Sequence, residues 1–278
     1  FGTAGCNLGC RFCQNWDISK ATQWDKLADP ATPEAIAARA KQLGCRSVAF
    51  TYNDPTIFAE YAYDVAQACR EVGIKTVAVT AGYIHAAPRR ELYGVMDAAN
   101  VDLKAFTEDF YQRITFAHLQ PVLETIEYLV KEAKVWTELT TLVIPGHNDS
   151  EAELRKLAEW VMTTLGPDVP LHFSAFHPDF KMLNVPATPP QTLKRARRLA
   201  MEAGLHHVYT GNMHDVEGDT TFCHACREPL IIRDWYEVLE YRVTAEGRCP
   251  SCAARLAGHF DDKAGAWGRR RQPVVMAG

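Results

Sequence analysis

The sequence predicts an α/β protein. Six or seven strand–helix units over residues 1–215, enough to curl into a full or partial barrel, are followed by a small module over 220–260 and a polar tail over 261–278. Three observations carry this prediction. Up to about residue 215, short β-branched runs alternate with amphipathic segments every 25 to 35 residues or so, the pattern of parallel strands joined by right-handed crossovers. Beyond that point the chain turns to short β-like pieces without a long amphipathic helix. Its 278 residues, 47% hydrophobic and 23% charged, are enough for one large core with something small beside it.

The strands are expected at "FGTAG" (1–5), "RSVAFTYN" (46–53), "KTVAVTAG" (75–82), "NVDLKAF" (100–106), "VWTELTTLVIPG" (135–146), "PLHFSAF" (170–176) and "HHVYTGN" (206–212). Between them, "TPEAIAARAKQLG" (32–44) has a threonine cap, a proline in the first turn and a glycine stop, so it reads as a helix. "PTIFAEYAYDVAQACREVG" (55–73) reads likewise, as does "DSEAELRKLAEWVMTTLG" (149–166) with the capping-box spacing of Ser150 to Glu153. The tail "DDKAGAWGRRRQPVVMAG" reads as polar and partly disordered, with Arg269, Arg270 and Arg271 solvated.

A net charge of −4 gives no support for a nucleic-acid partner, whose binders are usually basic. No apolar run approaches the roughly 20 residues that span a bilayer, and nothing at the start resembles a signal peptide, so a cytoplasmic location is expected. The chain opens at Phe1 without an initiator methionine and already in an expected strand, so it is expected to lack an N-terminal segment. Nine cysteines in such a chain argue for metal ligation over disulfides. Cys45 and Cys69 stand apart from the others beside apolar positions and are expected to be buried packing residues.

The remaining seven thiols form two kinds of site. Cys223, Cys226, Cys249 and Cys252 follow Cys-x2-Cys-x22-Cys-x2-Cys. Two such knuckles make a closed tetrahedral site, the usual arrangement of a structural Zn2+, with a rubredoxin-like iron as the alternative. Four protein ligands leave no position for catalysis. A module of about 40 residues buries too little to fold without the metal. Cys6, Cys10 and Cys13 offer only three thiolates from one tight loop, which suits a [4Fe–4S] cluster whose fourth iron stays open. Gly5 and Gly9 let the loop bend closely around a bulky group. A three-cysteine zinc site completed by a remote histidine is the structural alternative.

"GCNLGCRFCQN" also resembles the signature of the radical S-adenosylmethionine (SAM) enzymes, including the aromatic Phe12 before the last cysteine. The resemblance implies that SAM binds the open iron. One electron then cleaves SAM to methionine and a 5′-deoxyadenosyl radical, which abstracts hydrogen from a substrate. It also implies a partial (β/α)6 barrel over 1–215, ahead of a zinc-ribbon-like module over 220–260, with cofactor contacts at successive strand ends. "FTYNDP" stands where enzymes of the pyruvate formate-lyase activating type have Gly-Gly-Glu-Pro, which turns Asn53 and Asp54 toward the methionine amino group. "VTAGY" matches their Asp-Thr-Asn-Gly at Thr80 and Gly82, with Val79 in the aspartate position. "VDLK" nominates Asp102 and Lys104, the lysine for a carboxylate, and "FSAFHP" nominates His177. His214 and Asp215 are further candidates for substrate contact.

More narrowly, "FGTAGCNLGCRFCQNWDISKA", "FTYNDPTIFAEY", "AHLQPVLETIEYL" and "LTTLVIPGHNDS" resemble the radical SAM member of the AmmeMemoRadiSam system, in which Asp54 is usually glutamate. The expected function is therefore reductive cleavage of SAM and hydrogen abstraction from an unidentified substrate, with an external electron donor. The substrate can be a small molecule or a protein. One alternative is an activase that installs a glycyl radical on a partner enzyme. Another is a non-catalytic iron–sulfur sensor or scaffold.

Overall fold

The structure, a computed structural model, describes residues 1–21, 30–265, 267, 268, 270–274 and 276. Arg269 lies outside the described residues. The elements run α1 (Trp16–Ser19), α2 (Pro33–Gln42), β1 (Ser47–Phe50), α3 (Ala59–Glu71), β2 (Lys75–Thr80), α4 (Ala86–Tyr93) and β3 (Ala98–Asp102). They continue with α5 (Glu108–Phe110), α6 (Leu119–Glu127), β4 (Trp136–Val143), α7 (Glu151–Trp160), β5 (Leu171–Ala175), α8 (Pro190–Glu202) and β6 (Val208–Gly211). A short α9 (Val216–Asp219) leads into β7 (Thr221–Phe222), β8 (Pro229–Asp234) and β9 (Glu237–Tyr241).

The α/β architecture expected from the alternation is present. Strands β1 to β6 form one sheet in sequential order, with parallel pairing at β1–β2, β2–β3 and β5–β6. An order without reversal is barrel-type winding, in which loops after the strands gather at one edge. The chain divides into two compact units, with β4 running through the division after Leu139. The first holds Phe1–Leu139 and Pro178–Val185 with part of the C-terminal tail; the second holds Thr140–His177 and Pro186–Gln272. The four-cysteine module thus shares a unit with β5 and β6.

Local chemistry explains most boundaries. Thr32 Oγ1 accepts the Ala35 N–H at 3.2 Å and caps α2, and Ser150 Oγ accepts the Glu153 N–H at 3.3 Å and caps α7. Asp54 starts a 3₁₀ turn (Pro55–Phe58) that feeds α3. The helix expected at 32–44 is the single α2, whereas those expected at 55–73 and 149–166 are composite, α7 ending in a π turn over Val161–Leu165.

Two expectations are corrected. Phe1–Gly5 forms no strand. The Phe1 nitrogen donates to Ala49 O at 2.7 Å and Thr51 N donates to Phe1 O at 2.8 Å, so one residue is paired beside β1. Gly2 explains why the chain approaches so closely there: a Cβ on it would lie 2.3 Å from Thr51 O. Cys45 is exposed, because it follows the turn after α2 and precedes the buried part of β1; Cys69 is buried as expected. Among the described residues no helix is long and apolar enough to cross a membrane.

Candidate functional site

The three-cysteine loop is held from several sides. Gly9 N donates to Thr115 O and Arg11 N to Ile114 O, each at 2.9 Å, and Lys181 N donates to Arg11 O at 3.0 Å. Asn7 Nδ2 donates to Tyr83 O at 2.7 Å, which ties the loop to the residues after β2. Gly9 has no room for a side chain, since a Cβ would lie 2.8 Å from Phe116 Cδ2. Cys10 is buried, and Cys6 and Cys13 are half-buried.

At the end of β3, Lys104 Nζ donates to Asp102 Oδ2 at 2.8 Å and stands 5.8 Å from the centre of the Phe12 ring. Burial works to discharge this lysine, but Asp102 and the Cys10 thiol outweigh it and hold the ammonium above its ordinary pKa. The coupling is mutual. Burial pushes the Cys10 thiol up to about 11 against the opposing Lys104 charge, with Cys6 and Cys13 adding to the rise. Burial also raises Cys6, opposed first by a backbone hydrogen bond at Leu8 and then by Lys104 and Lys20, with Asp54 on the raising side. Cys6, Cys10, Cys13, Asp102 and Lys104 thus share one electrostatic neighbourhood. Three soft thiols on one loop, a glycine that a side chain would block and a half-buried cation fit an anionic iron–sulfur group.

Asn53, Asp54 and Thr80 lie at the ends of β1 and β2 but face the protein. Asn53 Nδ2 donates to Gly5 O at 2.8 Å and its Oδ1 accepts the Thr3 N–H at 3.4 Å, which staples the opening segment. Asp54, 2% exposed, accepts the Thr56 N–H at 2.9 Å, the Ala81 N–H at 2.7 Å and the Thr80 hydroxyl at 3.1 Å. Thr80 Oγ1 accepts in turn from Gly82 N at 3.0 Å and from the Tyr93 hydroxyl at 3.3 Å. This network joins β1 to β2. His177 is exposed, follows β5 and belongs to the second unit. His214 pairs with Asp234 at 3.0 Å, while Asp215 turns inward to accept the Thr210 hydroxyl at 3.2 Å.

Sequence reasoning passed over Ser19 and Lys20. Ser19 Oγ lies 3.0 Å from Cys13 Sγ, and Lys20 Nζ donates to Leu8 O at 2.8 Å. The "QNWDISK" stretch held the signal, but nothing in its spacing says which side chains return to the loop. Tyr111 was also missed; its hydroxyl accepts the Lys104 N–H at 3.1 Å.

The second site is a metal centre in geometry. The sulfurs of Cys223, Cys226, Cys249 and Cys252 all lie within 4.8 Å of one another, with Cys223–Cys252 and Cys226–Cys249 at 3.6 Å. A tetrahedral ion with metal–sulfur bonds near 2.3 Å spaces its ligands by about 3.8 Å. The two knuckles have the same design. In one, Cys223 N donates to Glu228 O and Arg227 N to Cys223 O, with Arg227 at φ +62°. In the other, Cys249 N donates to Ala254 O and Ala253 N to Cys249 O, with Ala253 at φ +61°. Burial opposes ionisation of Cys249, yet the backbone hydrogen bonds at Cys252 and Ser251 and the neighbouring thiols bring it down to about 7. Beneath lies a small core of Leu230, Ile231, Val243 and Leu256 with Cys223 and Cys249 themselves.

Comparison with known proteins gives the family and the fold. The family model described as the Radical SAM superfamily matches residues 2–158. An uncharacterized protein of Methanocaldococcus jannaschii is 40% identical over 253 residues, covering 91% of this chain and 75% of that one. The pyruvate formate-lyase 1-activating enzyme of Escherichia coli is 27% identical over 169 residues, which cover 56% of this chain and 65% of the enzyme. Among solved structures, SuiB of Streptococcus suis bound to S-adenosylmethionine superposes with a TM-score of 0.58 at 14% identity, over 76% of this chain and 49% of SuiB.

Proposed function

Because the chain belongs to the radical SAM superfamily, we propose that Cys6, Cys10 and Cys13 hold the [4Fe–4S] cluster that the family implies and that the enzyme cleaves SAM reductively to take hydrogen from its substrate. When bound there, the cluster supplies one electron to SAM, giving methionine and the 5′-deoxyadenosyl radical that attacks the substrate. The observation that carries the reading is the Lys104 ammonium, 12% exposed, paired with Asp102 and electrostatically linked to Cys10. A fixed cation suits both the negative cluster and the SAM carboxylate.

Each remaining residue has an assigned role in this proposal. Lys104, oriented by Asp102, takes the carboxylate. Asn53 and Asp54 shape the cradle for the methionine amino group, Asn53 by fixing residues 1–5 and Asp54 by fixing the β2 end through Thr80 and Ala81. His177, exposed after β5, is assigned a cofactor contact on the family resemblance alone. The four-cysteine site is assigned to structural zinc, since a closed site that also forms part of its module's core is suited to holding a fold.

Anaerobic reconstitution followed by SAM and dithionite tests the reading. The wild-type protein is expected to bind four irons per chain, as a [4Fe–4S] cluster requires, and to release 5′-deoxyadenosine. The Cys6, Cys10, Cys13 triple-alanine variant is expected to do neither. Continued 5′-deoxyadenosine formation by that variant sinks the assignment.

A protein substrate is a second reading, favoured by the β8–β9 hairpin. Its turn leaves Trp235 44% and Tyr236 61% exposed, and Leu239 on β9 is 55% exposed. Homology to enzymes named as activating another enzyme agrees with it. Cross-linking from a photoreactive residue at Tyr236 to candidate partners separates this reading from a small-molecule substrate.

A further inference from the structure

The turn after the cysteine loop has no part in the function above, yet its side chains and carbonyls come back to that loop. Trp16 stacks on Phe180 with ring centres 5.7 Å apart and planes 10° from parallel. Ile18 O accepts the Gly5 N–H at 3.0 Å. Lys20 Nζ reaches Leu8 O at 2.8 Å. Ser19, 5% exposed, sits between these anchors with its hydroxyl 3.0 Å from Cys13 Sγ and 2.6 Å from Asn15 O.

A serine hydroxyl has one proton and here two acceptors compete for it. While Cys13 is a thiol, its S–H can donate to Ser19 Oγ and the hydroxyl proton goes to Asn15 O. A metal-bound thiolate has no proton to give. Ser19 must then turn its own proton to the sulfur. Asn15 O is not orphaned by that rotation, because the Ser19 N–H still donates to it at 2.8 Å. The backbone is therefore already arranged for the change, and the move is a single hydroxyl rotation.

We propose that Ser19 is a positioning residue whose hydroxyl donates to the Cys13 thiolate and raises the reduction potential of the cluster held by that loop. A hydrogen bond to a cluster sulfur stabilises the reduced, more negative state more than the oxidised one. The role rests on the reading that Cys6, Cys10 and Cys13 hold the cluster.

The test uses the full chain reconstituted as wild type, Ser19→Ala and Ser19→Thr, with iron and sulfide counted in each. Midpoint potentials are then measured by redox titration followed by electron paramagnetic resonance. S19A is expected to move to more negative potential by about a tenfold change in the reduction equilibrium, about 59 mV for one electron. S19T keeps the hydroxyl and is expected to match wild type. Equal midpoints for wild type and S19A overturn the role of Ser19 while leaving the cluster assignment standing. A wild-type chain that takes up no cluster overturns both. Should S19A fail to hold its cluster, the Fe–S stretching bands of the wild type in heavy water decide: a shift that S19T retains supports the hydrogen bond, and unshifted bands overturn it.

Discussion

Asp54 is a buried carboxylate whose oxygens are used by Thr56 N, Ala81 N and the Thr80 hydroxyl. Replacing it with alanine strands two N–H groups away from water. Asp54→Ala is therefore expected to cost about 2–4 kcal/mol in urea unfolding, well beyond an ordinary surface substitution. That a polar pair ends β1 was legible in "FTYNDP"; where its atoms turn was not. Its partners are largely backbone N–H groups, and their positions depend on the path of residues 80–82 rather than on any side-chain identity. Lys104, nominated through the family resemblance, has the opposite kind of contact. Its partner Asp102 lies two residues away on the same strand end, so local sequence already places the pair.

Among the elements, the β2 and β3 starts are joined by Asp97, which accepts Lys75 Nζ at 2.8 Å and Thr76 N at 2.9 Å. Burial pulls this carboxyl upward, but Lys75 and Thr76 overcome it and hold the group below the ordinary 3.8. A carboxylate depressed in the folded state contributes stability that is complete above 3.8 and is lost as the pH falls through the folded value. Asp97→Asn is expected to flatten the acid limb of the stability–pH curve and to leave the limb above neutrality unchanged. The π turn over Tyr128–Ala133 ends on Lys134 at φ +55°, where an L side chain is strained. Lys134→Gly is expected to stabilise the fold by up to about 1 kcal/mol, read as a raised melting temperature. The apolar period that marked the helices is shared by α and π turns over so few residues, so these endings were invisible in the sequence. Cys45 misled for a related reason: the apolar neighbours that suggested burial belong to α2 and β1, whereas Cys45 lies in the connection between them.

For the molecule as a whole, the alternation of strands and helices was legible because each crossover is local. The division of contacts at Leu139 was not, since it cuts through a strand whose residues alternate without interruption. The four-cysteine centre is distant in sequence from the three-cysteine loop, and the two sites fall in different units. Chelation of the knuckle metal, or Cys226→Ser with Cys252→Ser, is therefore expected to expose residues 220–260 to limited proteolysis. The iron content of the N-terminal loop should remain unchanged. Metal analysis beside the proteolysis pattern checks both halves of that expectation.

The matched knuckles carry a consequence for how the metal centre assembles. Each is a short bidentate clip that can seize an ion by itself, and closing the 22 residues between Cys226 and Cys249 is a separate event with a loop-entropy cost of about 3 kcal/mol. Capture is then bimolecular and closure unimolecular. At stoichiometric metal one clip loads and recruits the other. In large excess both clips load separately, and one ion must leave before the loop can shut. Refolding of the module should therefore quicken and then slow as metal rises.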